Sequence, residues 1–141
     1  MSEAITIVQK FFDALNARDV SRAEALLHPD FTNSGPDGLV AIRGPKEMSA
    51  FLGMYFAAFP DFHDEVLHFH AAGDNIVVAE VIVSGTHRGD LMGIPPTGRK
   101  VVQPVCNVWE VRDGKVFSER EYYDPAVMLE QLGVVPVPPA G

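Results

Sequence analysis

The sequence predicts an α+β domain: a cone-shaped barrel in which a curved, mostly antiparallel sheet wraps around N-terminal helices. Three observations lead there. Apolar residues recur at helical spacing through 5–18 and again through 45–59. From His63 onward the period changes to two and holds for four strands. No helical stretch interrupts those strands, so neighbours pair antiparallel and the helices gather on one side of the sheet.

The elements follow in order. Val8, Phe11, Phe12 and Leu15 make one stripe of a first helix, with Ser2 as its cap. Ser21 and Glu24 have capping-box spacing and open a short second helix that Pro29 ends. A short strand is expected over 31–33, and 39–42 reads as extended. Gly44-Pro45 starts a third helix with proline in its first turn; Met48, Phe51, Leu52, Tyr55, Phe56 and Phe59 form its stripe, and Pro60 stops it. Residues 63–72 form a strand with Leu67, Phe69 and Ala71 on one face. Residues 76–86 are apolar on both faces, as in a strand covered from both sides. After a Gly/Pro loop, strands at 101–112 and 115–123 are joined by Asp113-Gly114, a pair suited to the type I′ hairpin turn. Asp124-Pro125 then opens a last helix, which Gln131-Leu132-Gly133 closes. Residues 1–133 thus read as one domain, followed by a Pro-rich tail, 134–141.

Bulk properties narrow the function. A net charge of −8 argues against nucleic acid and anionic membrane as partners, because both need a basic patch. No apolar run is long enough to span a bilayer, and the N-terminus shows no signal-peptide pattern. The single cysteine, Cys106, forms no internal disulfide, so a reducing cytoplasm is the expected location. Its strand parity is opposite to that of Asn107, which makes it buried filler. A small molecule is the expected partner. Val102, Val108 and Phe117 on the outer face of the sheet point to a homodimer or higher homo-oligomer.

The hairpin carries the functional signal. With a regular register, Val111 faces Val116, Trp109 faces Ser118, Asn107 faces Arg120 and Val105 faces Tyr122, with Gln103 near Asp124. One face then holds an apolar wall of Val105, Trp109, Val111, Val116 and Tyr122. Into it are set Gln103, Asn107, Arg120 and Asp124. Apolar area with a few convergent polar groups is the composition of a ligand pocket.

Phe59-Pro60-Asp61-Phe62 resembles a motif of the SnoaL-like polyketide cyclases. So do Gly85-Thr86-His87-Arg88-Gly89 running into Gly93-Ile94-Pro95-Pro96-Thr97-Gly98, and Asp113-Gly114-Lys115-Val116 leading through Tyr122-Tyr123-Asp124 to Gln131-Leu132-Gly133. The pieces occur in family order across nearly the whole chain. The resemblance implies a nuclear-transport-factor-2-like cone and an enzyme without metal or organic cofactor. It implies ring closure on a polyketide by intramolecular aldol condensation, with one aspartate as acid/base. By motif that residue is Asp124. The best-studied relatives carry a histidine on the strand before the hairpin turn; here Asn107 is the nearest polar substitute. Asn33 falls near where such cones place a polar residue facing the cavity.

Each candidate has a structural rival. Asp124 before Pro125 is also an ordinary helix N-cap. His87 is either a second acid/base or a loop histidine bonded to the backbone. Asn33 contacts substrate or belongs to the turn at Ser34-Gly35-Pro36. Leu91-Met92-Gly93-Ile94 is a lid or a contact with a partner subunit. Asp64, His68 and His70 share parity and invite a metal reading, but their face is opposite Leu67, Phe69 and Ala71 and is expected to point outward. Two other functions suit the same architecture. One is an isomerase or epoxide hydrolase, which needs a second carboxylate such as Asp30 or Glu110. The other is a small-molecule-binding module without chemistry.

Overall fold

A computed structural model describes residues 2–134. The tail expected at 134–141 lies, from residue 135 on, outside the described residues. The elements run α1 Glu3–Asn16, α2 Val20–Ala25, β1 Leu27–Ser34, β2 Val40–Arg43, α3 Gly44–Ala58, β3 His63–Ala71, β4 Ile76–Thr86, β5 Lys100–Arg112, β6 Lys115–Tyr122 and α4 Pro125–Leu132. Ser2 caps α1 as expected, its hydroxyl accepting from the Ile5 N–H at 3.1 Å. The second helix starts earlier than its capping-box spacing suggests, because Asp19 takes the cap by accepting from the Arg22 N–H.

The six strands form one sheet in the order β2-β1-β6-β5-β4-β3. It is open at β2 and β3, and all pairs are antiparallel except β1 with β6. Helix α1 lies across β3, β4, β5 and β6, while α3 covers β1 and β2. Phe11 and Phe12 of α1 meet the ring of Trp109 edge-on at 5.5 and 5.4 Å, and all three are buried. Burial of that trio is worth several kcal/mol (about 1.5–3 per large apolar side chain), which anchors the helix to the sheet.

Asp113 and Gly114 have φ of 53° and 72°, as the hairpin turn requires. The register beyond them departs from the regular one. Val111 pairs with Val116 as expected, but Glu110 then pairs with Ser118. Phe117 is an extra residue on β6, a bulge that reverses the parity of everything after it. Trp109 therefore faces Glu119, and Asn107 faces Glu121. Arg120 pairs with Val108 and Tyr122 with Cys106, both outer-face positions, and Tyr122 is 47% exposed. The expected inward placement of Arg120 and Tyr122 is corrected on this ground.

A second bulge repeats the effect. On β3, Val66 pairs with Val81 and His68 with Glu80, which leaves Leu67 over. Leu67 is exposed, Phe69 packs on the core, and Asp64 is buried on the inner face beside Val83. The expectation that Asp64, His68 and His70 share an outward face fails for Asp64 alone.

Candidate functional site

Between the helices and the inner face of the sheet lies a cavity of about 320 Å³. Its walls come from Phe12 and Leu15 of α1, Met48, Phe51, Leu52 and Tyr55 of α3, inward residues of β4 and β5, and Met128 and Leu129 of α4. Leu91 and Met92 of the Gly/Pro loop border it. Into this largely apolar lining are set Asp64, Gln103, Asn107, Glu119, Glu121 and the phenol rings of Tyr55 and Tyr123.

Glu119 is the best-held of these groups. Asn33 Nδ2 donates to its Oε1 at 2.9 Å, and Asn107 Nδ2 donates to its Oε2 at 2.7 Å. Both asparagines were expected at the site from sequence; the structure brings them together on a glutamate that sequence reasoning had turned outward. The Glu121 carboxyl is a hydrogen-bond neighbour of Glu119. Burial raises Glu119 well above the usual carboxylate range, and the Glu121 charge adds to the effect. Burial also raises Glu121. Two neighbouring buried carboxyls cannot both ionise cheaply, so the charge of one raises the cost of ionising the other.

Across the cavity, burial and then the charge of Glu121 push Asp64 up to about 7. Tyr55 is raised above its ordinary value by burial and then by the charges of Glu121, Tyr123 and Asp64. Tyr123 is raised by burial first and then by Glu121. Both phenols thus stay protonated and available as donors. The indole N–H of Trp109 and the side-chain oxygen of Gln103 are buried and have no partner among the described residues.

Other sequence candidates sit elsewhere. Asp124 is exposed and caps α4, its Oδ1 accepting from the Ala126 N–H at 3.0 Å; it does not line the cavity. Its backbone carbonyl accepts from Gln103 Nε2 at 2.6 Å, so Gln103 offers the cavity an acceptor. His87 is fully buried but outside the lining. Its Nδ1 accepts from the Thr97 N–H at 3.2 Å, its backbone binds Arg99 and Gly98, and its ring lies beside Phe59. It ties the Gly/Pro loop shut. Arg120 does not line the cavity.

The motifs turn out to be joints. Asp61 accepts from the Thr86 N–H and hydroxyl at 2.6 and 2.7 Å, linking the end of α3 to the end of β4. Gly89 lies so close to α3 that a Cβ there would stand 2.4 Å from the Ala57 carbonyl oxygen. Gln131 clasps the Val102 backbone in both directions, Leu132 is buried, and Gly133 ends α4 with a φ of 74°.

An open α+β cone of this topology is the nuclear-transport-factor-2-like fold. Within it, the chain belongs to the SnoaL-like polyketide cyclase family, whose sequence model matches residues 6–132, and is an enzyme of that cyclase type. It is 26% identical over 134 residues to aklanonic acid methyl ester cyclase AcmA of Streptomyces galilaeus, covering 94% of this chain and 92% of that one. Its fold matches the solved structure of AclR from the same organism with a TM-score of 0.82 at 26% identity, over 97% of this chain and 89% of that one. It matches a LEH-like epoxide hydrolase of M. tuberculosis with a TM-score of 0.75 at 25% identity, over 92% and 89%. No helix among the described residues is long and apolar enough to cross a membrane.

Proposed function

We propose that the protein closes a ring on a carbonyl-rich polyketide ester by an intramolecular aldol-type reaction, and that the Glu119–Glu121 pair is its base. The observation that carries this is the pair itself: two neighbouring carboxyls in the lining of a cavity, with Glu119 held by two asparagines. The pair takes a proton from a carbon flanked by carbonyls. The enolate carbon attacks a second carbonyl of the same molecule, and the new alkoxide takes a proton from an acid in the cavity. Tyr55, Tyr123 and the Trp109 N–H are the donors for the enolate and carbonyl oxygens. Asn33 and Asn107 position Glu119, and Gln103 accepts from a substrate hydroxyl. The role that the motif suggested for Asp124 passes to Glu121, the member of the pair that stands beside the two tyrosines of the cavity and acts on both electrostatically. Such a reaction only moves protons and forms a carbon–carbon bond, so it needs no cofactor.

Aklanonic acid methyl ester is the first substrate to try, on the strength of the relative that takes its name from it. Glu121→Gln is expected to lower turnover by about 10²–10⁴-fold, the usual worth of general acid–base catalysis, with the fold intact by circular dichroism. An unchanged rate overturns the role.

Epoxide opening is the second reading, because the cavity holds more than one carboxylate and a hydrolase is among the structural neighbours. Asp30 and Glu110, the residues expected to supply the second carboxylate, are not in the lining; Asp64 and the β6 pair are. No arginine lines the cavity among the described residues, which favours the cyclase. We also take the protein to work in a reducing cytoplasm as a homodimer through the outer sheet face, where Leu67, Val102 and Tyr122 are exposed. Light scattering at micromolar concentration checks the dimer.

A further inference from the structure

We propose that Asp64 is a second catalytic group, the acid that protonates the new alkoxide, so that base and acid stand on separate strands. The inference rests on the cyclase reading and adds a residue to it.

Four observations carry it. The Leu67 bulge turns Asp64 onto the inner face, where it lines the cavity and is only 5% exposed. Its backbone does the structural work: the N–H donates to Asn16 Oδ1 at 2.8 Å, and the carbonyl accepts from Asn16 Nδ2 at 2.9 Å. Any residue type but proline would satisfy that clasp. Its carboxyl, by contrast, hydrogen-bonds to no side chain or backbone group among the described residues. A buried carboxyl without a partner costs stability, so its presence on a cavity wall marks it as a group that meets a ligand. Finally, it stands on a different strand from the base, within reach of its charge. Strands β5 and β4 stand between β6 and β3, so three strand spacings of about 4.8 Å lie between the two sites along the sheet. The electrostatic influence of both still reaches Tyr55. A substrate lying along the cavity can therefore touch both sites at once. Burial leaves the Asp64 carboxyl able to carry a proton near neutral pH.

The step balances. The Glu119–Glu121 pair takes the proton, and the C–H bonding electrons stay on the substrate as the enolate. The enolate carbon bonds to the carbonyl carbon, whose π electrons move to oxygen. That oxygen takes the Asp64 proton. Asp64 is left ionised and the pair protonated, and exchange with solvent resets both. No oxidant or reductant is involved.

The test follows two processes with aklanonic acid methyl ester in deuterated water: exchange of the activated C–H, and ring closure. Asp64→Asn keeps the shape and the backbone clasp. It is expected to slow closure at least tenfold while exchange stays within about twofold of wild type. Closure at the wild-type rate, or exchange lost along with closure in a folded variant, overturns the assignment. Glu121→Gln run beside it separates the two ideas. Loss of both processes in Glu121→Gln with none in Asp64→Asn sinks only the Asp64 role, whereas wild-type behaviour of Glu121→Gln sinks the proposed base. A measurement independent of turnover uses 1,8-dihydroxyanthraquinone as probe. Trp109, the sole tryptophan, lines the cavity, so its fluorescence reports occupancy. At saturation the side-chain carbon signal of ¹³C-labelled Asp64, identified by its loss in Asp64→Asn, is expected to shift. Saturation without a shift contradicts the role.

Discussion

The joints between the elements and the wall of the cavity obey different rules. At the joints, Asp61 holds Thr86, Gly89 lets the loop touch α3, and His87 holds Thr97. These contacts are made by residues close to turns and helix ends, where each residue type has a local reason to be. Along the wall, Asp64, Glu119 and Glu121 face inward only because one extra residue precedes or follows them on the strand. The joints mark the family, since their residues form the motifs. The wall carries the proposed chemistry, and of its polar groups only Tyr123 falls within a motif.

That contrast can be broken in several ways. The largest effect is expected from inserting one residue between Ser118 and Glu119. The shifted end of β6 would turn Glu119 and Glu121 out and bring Arg120 and Tyr122 in, so activity should vanish and thermal melting should show a strongly destabilised protein. Full activity in a stable variant would mean that strand parity does not position the pair.

Asp64→Asn comes next, now read as a stability change. The carboxyl is raised from 3.8 to about 7 on folding. An acid raised in the folded state binds more protons there than in the unfolded chain between those two values. Its burial is therefore harmless below about pH 4, the wild type loses stability as pH climbs through 7, and the penalty is constant above. Asparagine removes a penalty on the order of 4 kcal/mol at most, so the variant should gain most above pH 7 and little at pH 4. Urea titrations at both ends check the sign.

Gly89→Ala should cost about 1–3 kcal/mol, because the new methyl meets the Ala57 carbonyl oxygen and must displace backbone. Residual rate per folded molecule should be preserved. The smallest change is expected from Asp61→Ala, about 1 kcal/mol for exposed hydrogen bonds to a carboxylate. The Thr86 N–H and hydroxyl lower the Asp61 pKa, so this contribution is present above the unfolded value of 3.8 and fades as pH falls through the lower folded one. Melts of both variants near pH 7 and pH 3 test this.

Much of the fold was legible for a plain reason. Helix stripes, Gly44-Pro45, Asp113-Gly114 and the shift to period two are local signals, and the element order follows from them. β5 was read on the correct face, which is why Gln103, Asn107 and Trp109 line the cavity as expected. The three carboxylates were misplaced because parity is cumulative: one inserted residue reverses the two stretches of a strand relative to each other, whichever of them set the expected face. A trace of both bulges does exist. Each falls in an adjacent apolar pair, Val66-Leu67 and Val116-Phe117, inside an otherwise alternating strand. Such pairs are the places where an alternation argument should be run in both registers. His87 and Asp124 show the opposite error, in which a residue with a chemical look serves a joint or a cap outside the cavity lining.

The central claim is that Glu119 and Glu121 share a proton inside the cone, and one titration tests it most directly. The side-chain carboxyl carbons of ¹³C-labelled glutamate are followed by NMR from pH 3 to 9, with Glu119→Gln and Glu121→Gln used to assign the two signals. One proton retained by the pair through pH 7 is the expected result. Two carboxyls that both ionise near the ordinary 4.5 contradict it.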